Sequence, residues 1–151
     1  MWQSEAEHGT LQAPIGTDTS SSASSCGFVY TSQAWSEGAV SFSVYVSKAG
    51  DYYPWARAMG LGWKENSFLV SVDSQPEFHF EIGLLGDQWG WVWQRVYPDQ
   101  QQAAPFSLSR GTHTIRFKSR EDSARLDVVL LTANSAFEPT HRVPCEALAE
   151  Q

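Results

Sequence analysis

Residues 39–46 read Ala-Val-Ser-Phe-Ser-Val-Tyr-Val, and this strict alternation limits the fold more than any other feature of the chain. Successive side chains of a strand point to opposite faces, so Val40, Phe42, Val44 and Val46 share one face, and Ser41, Ser43 and Tyr45 the other. A strand that is apolar on one side has to cover a core with a second layer. The period returns along the chain. Residues 52–58 set Tyr53, Trp55 and Arg57 on one face, and 67–72 set Phe68, Val70 and Val72 together. Residues 112–118 set His113, Ile115 and Phe117 against Thr114, Arg116 and Lys118, and Leu126, Val128 and Leu130 close the core. Further strands are expected at 78–82, 89–97 and 106–108, with turn residues between them and a polar Gln- and Ala-rich connection from Pro98 to Pro105. Helix signals are nearly absent. The pattern predicts an all-β chain folded as a two-sheet β-sandwich.

The chain has 151 residues, enough for one domain with a real core. The expected division is a single domain over 1–151, its core at about 4–132 and a surface tail at 133–151. The Ser-rich stretch Thr17 to Ser25 is too short for an interdomain linker. Only 18% of residues are charged and the net charge is −7. That balance argues against a nucleic acid partner, which needs a basic stripe, and against an anionic membrane surface. No apolar run approaches the ~18–20 residues of a membrane span. Met1-Trp2-Gln3-Ser4-Glu5 shows neither the basic start nor the apolar stretch of an export signal. Cys26 and Cys145 either bridge the tail to an early strand, which would suit an exported protein, or stand as two thiols.

Seven tryptophans are more than such a core needs, and Trp89, Trp91 and Trp93 fall in one run. Flat rings on a β-scaffold stack against the weakly apolar faces of sugars; the competing reading is that they fill the core.

Several short motifs occur in a fixed order. Glu5-Ala6-Glu7 is followed by Ala23-Ser24-Ser25-Cys26-Gly27-Phe28-Val29, then Ala49-Gly50-Asp51-Tyr52-Tyr53 and Trp55-Ala56-Arg57. Asn66-Ser67-Phe68, Val72-Asp73 and the Trp-rich run come next, then Gly111-Thr112-His113-Thr114-Ile115, Arg120-Glu121-Asp122 and Leu126-Asp127. This order resembles non-catalytic carbohydrate-binding modules of the β-jelly-roll type, families six and thirty-five, over about residues 4 to 132. The resemblance implies a galactose-binding-domain-like jelly roll, secreted or extracellular, joined to a glycan-degrading enzyme. It implies a polysaccharide or oligosaccharide ligand.

In such modules an opening Glu-x-Glu strand and an Asp on the last strand hold a structural Ca²⁺. The matching residues are Glu5, Glu7 and Asp127, with Asp18 as a further donor. Two acids two apart on a strand face the same way and repel unless a cation lies between them, and Ca²⁺ takes 6–8 oxygens in irregular geometry. Asp127 stands among Leu126, Val128 and Val129, an odd place for a lone charge. The alternative has Glu5 and Glu7 as solvated edge charges and Asp127 paired to an arginine.

For the sugar, the resemblance points to Tyr30, Trp89 or Trp91, and Arg120 or Glu121, with Trp63 and Asn66 of the Gly-rich loop as another wall. Two aromatics grip a pyranose by its faces while polar groups bond its hydroxyls. Of the run 89–93, read as sharing one strand face, Trp93 is expected to pack in the sandwich. Trp55 is expected in the core and Trp63 exposed; Arg57 either stacks on an indole or reaches the sugar, and Arg120-Glu121 can equally be a local ion pair. Nucleophile and phosphate motifs are missing, His8, His79, His113 and His141 are scattered, and His113 reads as structural. The chain is therefore expected not to be an enzyme. The alternatives are a small lyase or glycoside hydrolase on a sandwich, and an adhesion sandwich without a sugar site.

Overall fold

The alternation at 39–46 forms strand β5 (Ala39–Val46), which pairs antiparallel with β11 (Gly111–Ser119) and sets Val44 opposite His113 and Phe42 opposite Ile115. The computed structural model describes residues 1–98 and 104–145. Most of the polar connection expected at 98–105, and the last six residues of the expected tail, lie outside the described residues.

The remaining strands are β1 (Trp2–Glu5), β2 (Thr10–Gln12), β3 (Gly16–Thr19), β4 (Gly27–Tyr30), β6 (Gly50–Met59), β7 (Ser67–Val72), β8 (Phe78–Glu81), β9 (Val92–Arg95), β10 (Phe106–Leu108) and β12 (Arg125–Thr132). One sheet runs β10-β6-β12-β4-β3, with β1 also on β12 and β9 also on β6; the other runs β2-β5-β11-β7-β8. This is the expected two-sheet β-sandwich. No described helix is long and apolar enough to cross a membrane.

The inner faces meet unequally. Phe117 of β11 takes edge contacts from Phe42, Phe68 and Phe80 at 6.0–6.4 Å between ring centres. The facing sheet answers with small residues, Ala56 and Ala58 of β6, beside Leu126 and Val129 of β12. Large rings against alanines let the two layers approach closely, and each buried ring contributes about 1.5–3 kcal/mol.

Trp55 and Trp93 are not in that core. They lie on the outer face of the larger sheet, where the β6–β9 register sets Trp55 opposite Arg95 and Arg57 opposite Trp93. Arg95 sits 4.4 Å over Tyr53, and Arg57 sits 5.3 Å over Trp91. The chain after Thr132 returns to this face: the Trp93 indole donates to the His141 carbonyl, and Ser25 N–H donates to the Val143 carbonyl. Cys26 and Cys145 are bridged, which resolves the two cysteine readings in favour of the disulfide.

Candidate functional site

Three connections cross one end of the sandwich side by side. Residues 120–124 join the central strands β11 and β12, residues 31–38 join β4 to β5 on one flank, and residues 60–66 join β6 to β7 on the other. The middle connection is stitched to both. Trp35 N–H donates to the Arg120 carbonyl, Thr31 N–H to Ala124 and Ser123 N–H to Thr31. On the other side the Glu121 carboxylate accepts from Asn66 N–H at 3.3 Å and from the Ser67 hydroxyl.

Those bonds determine what the expected sugar contacts can do. Asn66 is 4% exposed, and its side-chain amide donates to the Ile82 carbonyl at 3.1 Å. Glu121 holds the flanking loop and meets Arg120 at 3.4 Å. Both build the frame of this end. Arg120 donates to the Ser67 hydroxyl at 2.6 Å and lays its guanidinium 5.4 Å over the Trp35 ring.

Trp63 is 72% exposed, as expected from its Gly-rich loop, and the Trp89 ring meets it edge-on at 5.0 Å. Trp89 is seated over Gly60, where a Cβ would come within 2.7 Å of both its ring and Asn66. Gly60 is therefore the residue that lets the indole brace the loop. Trp91 goes elsewhere. The strand expected at 89–97 begins only at Val92, so the three indoles do not share a strand face. Trp91 packs edge-on against Phe28 at 5.6 Å, under Arg57, with its N–H on the Ser22 hydroxyl. Tyr30 lines a hollow of about 200 Å³ with Asp18, Phe28, Leu61, Ser123 and Arg125.

Sequence reasoning passed over Trp35, 66% exposed at the rim of this end, and the exposed Leu61 of the opposite flanking loop. The signal for Trp35 was the one that worked for Trp63: a lone aromatic inside a polar loop, Ser32 to Gly38, with no alternating partners.

The acids meet by a route the sequence did not suggest. Strand β1 ends at Glu5, and a 3₁₀ turn, Ala6–His8, carries Glu7, so the pair does not share a strand face. Asp127 is the bulged residue of β12, at the point where its neighbour changes from β4 to β1. The bulge turns a fully buried carboxylate into the gap between the ends of those two strands. Carboxylate oxygens of Glu5, Glu7 and Asp127 lie within 4.8 Å of one another. Gly27, at the start of β4, leaves room for the Glu7 carboxylate that a Cβ would take.

Asp127 accepts from Ser24 N–H and from the Arg57 guanidinium, so its arginine partner and its acidic neighbours coexist. Glu5 accepts from the Ser24 hydroxyl at 2.8 Å and the Ser25 hydroxyl at 3.1 Å. Glu5 Oε2 and Glu7 Oε1 are buried without a hydrogen-bond partner. Burial, then the neighbouring Glu5 and Asp127 charges, push Glu7 up to about 7; burial likewise pushes Asp127 up to about 6. Asp18 stands apart: it is exposed on β3, accepts from Thr19 N–H at 2.8 Å and lines the Tyr30 hollow, so it does not join the three acids.

This geometry defines a β-sandwich of the jelly-roll type with aromatic loops at one end and a buried acid cluster between strand ends. The same fold occurs in the family 35 carbohydrate-binding module from Clostridium thermocellum, at 21% identity and a TM-score of 0.64, covering 88% of this chain and 99% of that one. It recurs in the GH26-CBM35 β-(1,4)-mannanase of Podospora anserina, at 20% identity and 0.64, covering 93% of this chain and 29% of that one. The exo-β-1,3-galactanase of Phanerochaete chrysosporium matches at 18% identity and 0.69, covering 87% and 29%. In sequence, an uncharacterized protein of Formosa agariphila is 27% identical over 119 residues, covering 74% of this chain. The chain spans 29% of the length of that curated relative. No family model matches the sequence.

Proposed function

We propose that the chain is a non-catalytic carbohydrate-binding module that holds a linked glycan-degrading enzyme at its polysaccharide. The carrying observation is the Trp63–Trp89 pair, a largely exposed indole braced by a second at the end of the sandwich where the loops converge. A braced ring presents a flat apolar face with little conformational entropy left to lose on binding. The Tyr30 hollow, flanked by Arg125 and Asp18, supplies charged groups for hydroxyls beside it. Fold neighbours that include a family 35 module and a mannanase bearing one support the same reading. Its action is equilibrium binding, and the gain is effective concentration of the attached enzyme at its substrate. The disulfide suits a secreted or extracellular protein.

The acid cluster fits a structural Ca²⁺. With all three carboxylates ionised, one arginine leaves two negative charges uncompensated in a buried site, which is why burial and mutual repulsion push Glu7 and Asp127 up, and two carboxylate oxygens lack any partner. A divalent cation neutralises both and takes oxygens at 2.3–2.6 Å, a span consistent with donors within 4.8 Å of one another. Glu5, Glu7 and Asp127 would hold it; Ser24 orients the Glu5 and Asp127 carboxylates, and Arg57 the Asp127 carboxylate. Bound there, an ion would tie Glu5 of β1 to Asp127 of β12.

The test is to pass the purified chain over a panel of plant and algal polysaccharides, including galactan, mannan and dextran. Retention without product supports the binding module. New reducing or unsaturated ends point instead to a small lyase or hydrolase, and no retention on any polymer to an adhesion sandwich.

A further inference from the structure

We infer that the binding surface runs across all three end connections and takes an extended stretch of at least two sugar residues, with Trp35 as its second platform. This rests on the sugar-binding reading above and gives the site its length. Trp35 and Trp63 are the largest exposed side chains of their loops, and those loops lie on opposite flanks of 120–124. The loops run into β5 and β7, two inter-strand spacings apart in the order β5-β11-β7, which roots the loops that carry the platforms about 10 Å apart. That is longer than one pyranose ring, so one terminal sugar cannot use both.

Two observations separate Trp35 from an incidental surface residue. Its backbone sits at φ 54, a left-handed conformation unfavourable for a bulky residue, and it is fixed there by its N–H on the Arg120 carbonyl. Arg120 then reaches from above the Trp35 ring to the Ser67 hydroxyl on the opposite flank, with its Nε buried and unpartnered. The guanidinium thus runs beneath the middle of the surface, between the two flanking loops. An indole held in an unfavourable backbone conformation and left two-thirds open to solvent has only its contacts with Arg120 to offset that conformation in the folded chain, and its open surface is unused there.

The test titrates β-1,3-galacto-, β-1,4-manno- and isomalto-oligosaccharides, from monosaccharide to hexasaccharide, into wild type, Trp35→Ala, Trp35→Phe and Trp63→Ala by calorimetry. The expected result is affinity that rises with length in wild type. Trp35→Ala removes that rise, weakening a tetrasaccharide by roughly tenfold with little change in monosaccharide binding, and Trp35→Phe restores most of it. Trp35→Gly, which relaxes the backbone, loses the same binding while melting no lower than wild type, so the loss is not misfolding. Wild-type affinity that is flat with length, or a Trp35→Ala variant equal to wild type at every length, overturns the extended site and leaves the sugar-binding reading standing. Failure of every ladder to bind overturns both.

Discussion

Ser24 donates its main-chain N–H to both carboxylate oxygens of Asp127, at 3.1 and 2.9 Å, across 103 positions of chain. Its hydroxyl donates to Glu5 at 2.8 Å and accepts Val143 N–H at 2.9 Å. One serine on a 3₁₀ turn therefore contacts the first strand, the last strand and the returning C-terminal segment. The cluster of acids and the tail are parts of one junction.

If that junction holds a cation, Ca²⁺ raises the melting temperature and a chelator reverses the rise. At a free ion concentration a hundredfold above Kd the gain is about 2.7 kcal/mol, or roughly 5–10 °C for a chain of this size. Glu5→Gln and Glu7→Gln each abolish most of the gain while leaving a folded chain, because neutral amides remove the repulsion together with the ligand. Scanning calorimetry at constant ionic strength, with Mg²⁺ as the control, reads the difference. Equal melting with and without Ca²⁺ in wild type would rule the ion out.

The Cys26–Cys145 bridge closes a loop of 119 positions next to Ser24. Chain-entropy arguments put its value near 4.7 kcal/mol for loops of about 100 residues, and losses of about 2–5 kcal/mol are common when a native bridge is removed. Cys26→Ser with Cys145→Ser is expected to melt well below wild type. Releasing the bridge also frees the segment that carries Val143, so Ca²⁺ binds more weakly in the double variant, and Ser24→Ala reproduces that weakening with the bridge intact. Ca²⁺ titrations of the three proteins at one pH check the link; an unchanged affinity in both variants breaks it.

Trp91 and Trp63 give opposite expectations, although both come from Gly-flanked segments. Trp91 is enclosed by Phe28, Arg57 and Ser22, so Trp91→Ala costs about 3–5 kcal/mol of stability, toward the lower end because the ring is partly open. Trp63→Ala leaves stability within about 0.5 kcal/mol and lowers polysaccharide affinity. Gly60→Ala reaches Trp63 indirectly. The added methyl collides with the Trp89 ring and Asn66, displaces the brace and weakens both stability and binding. Chemical unfolding read beside affinity electrophoresis separates the three.

What could be read in the sequence follows from how much of each signal is local. Strands β5, β7 and β11 were legible because each carries its own alternation, enforced by a core on one face. Strands β2 and β3 carry little apolar pattern, since they lie at the edges of their sheets and are mostly exposed. The run 89–97 was over-read: dense tryptophan suggests a strand, but Trp89 and Trp91 are held by Gly60, Phe28 and Arg57, contacts that no window of sequence contains. The three acids could be named, yet the bulge at Asp127 and the turn at Glu7 that bring them together could not. Asp18 was drawn in as a further oxygen donor for the ion that the resemblance implies, on loose spacing, and lies on the far side of the Phe28 hairpin strand, next to Tyr30.

His113 gives a pH dependence whose sign can be worked out. Its Nδ1 is 2.7 Å from an Asp73 carboxylate oxygen and its Nε2 is 2.7 Å from the Ser109 carbonyl. A carbonyl only accepts, so Nε2 carries a proton, and Nδ1 donates to the carboxylate only when the ring is an imidazolium. The hydrogen bond to Asp73, then that to Ser109, raise the His113 pKa above its usual 6.5 in spite of burial. The folded state therefore binds this proton more tightly than the unfolded chain does. The stability it contributes is complete below about pH 6.5 and is lost as pH rises through the higher folded value. Melting should fall across that window and level off beyond it. The buried acids titrate nearby, so the comparison is with Asp73→Asn, which removes the charge that holds the proton on His113 but not the acid cluster. The expected outcome is a shallower slope in Asp73→Asn and a lower His113 pKa by NMR titration. A His113 resonance that titrates at the same pH in both proteins would remove Asp73 as the cause.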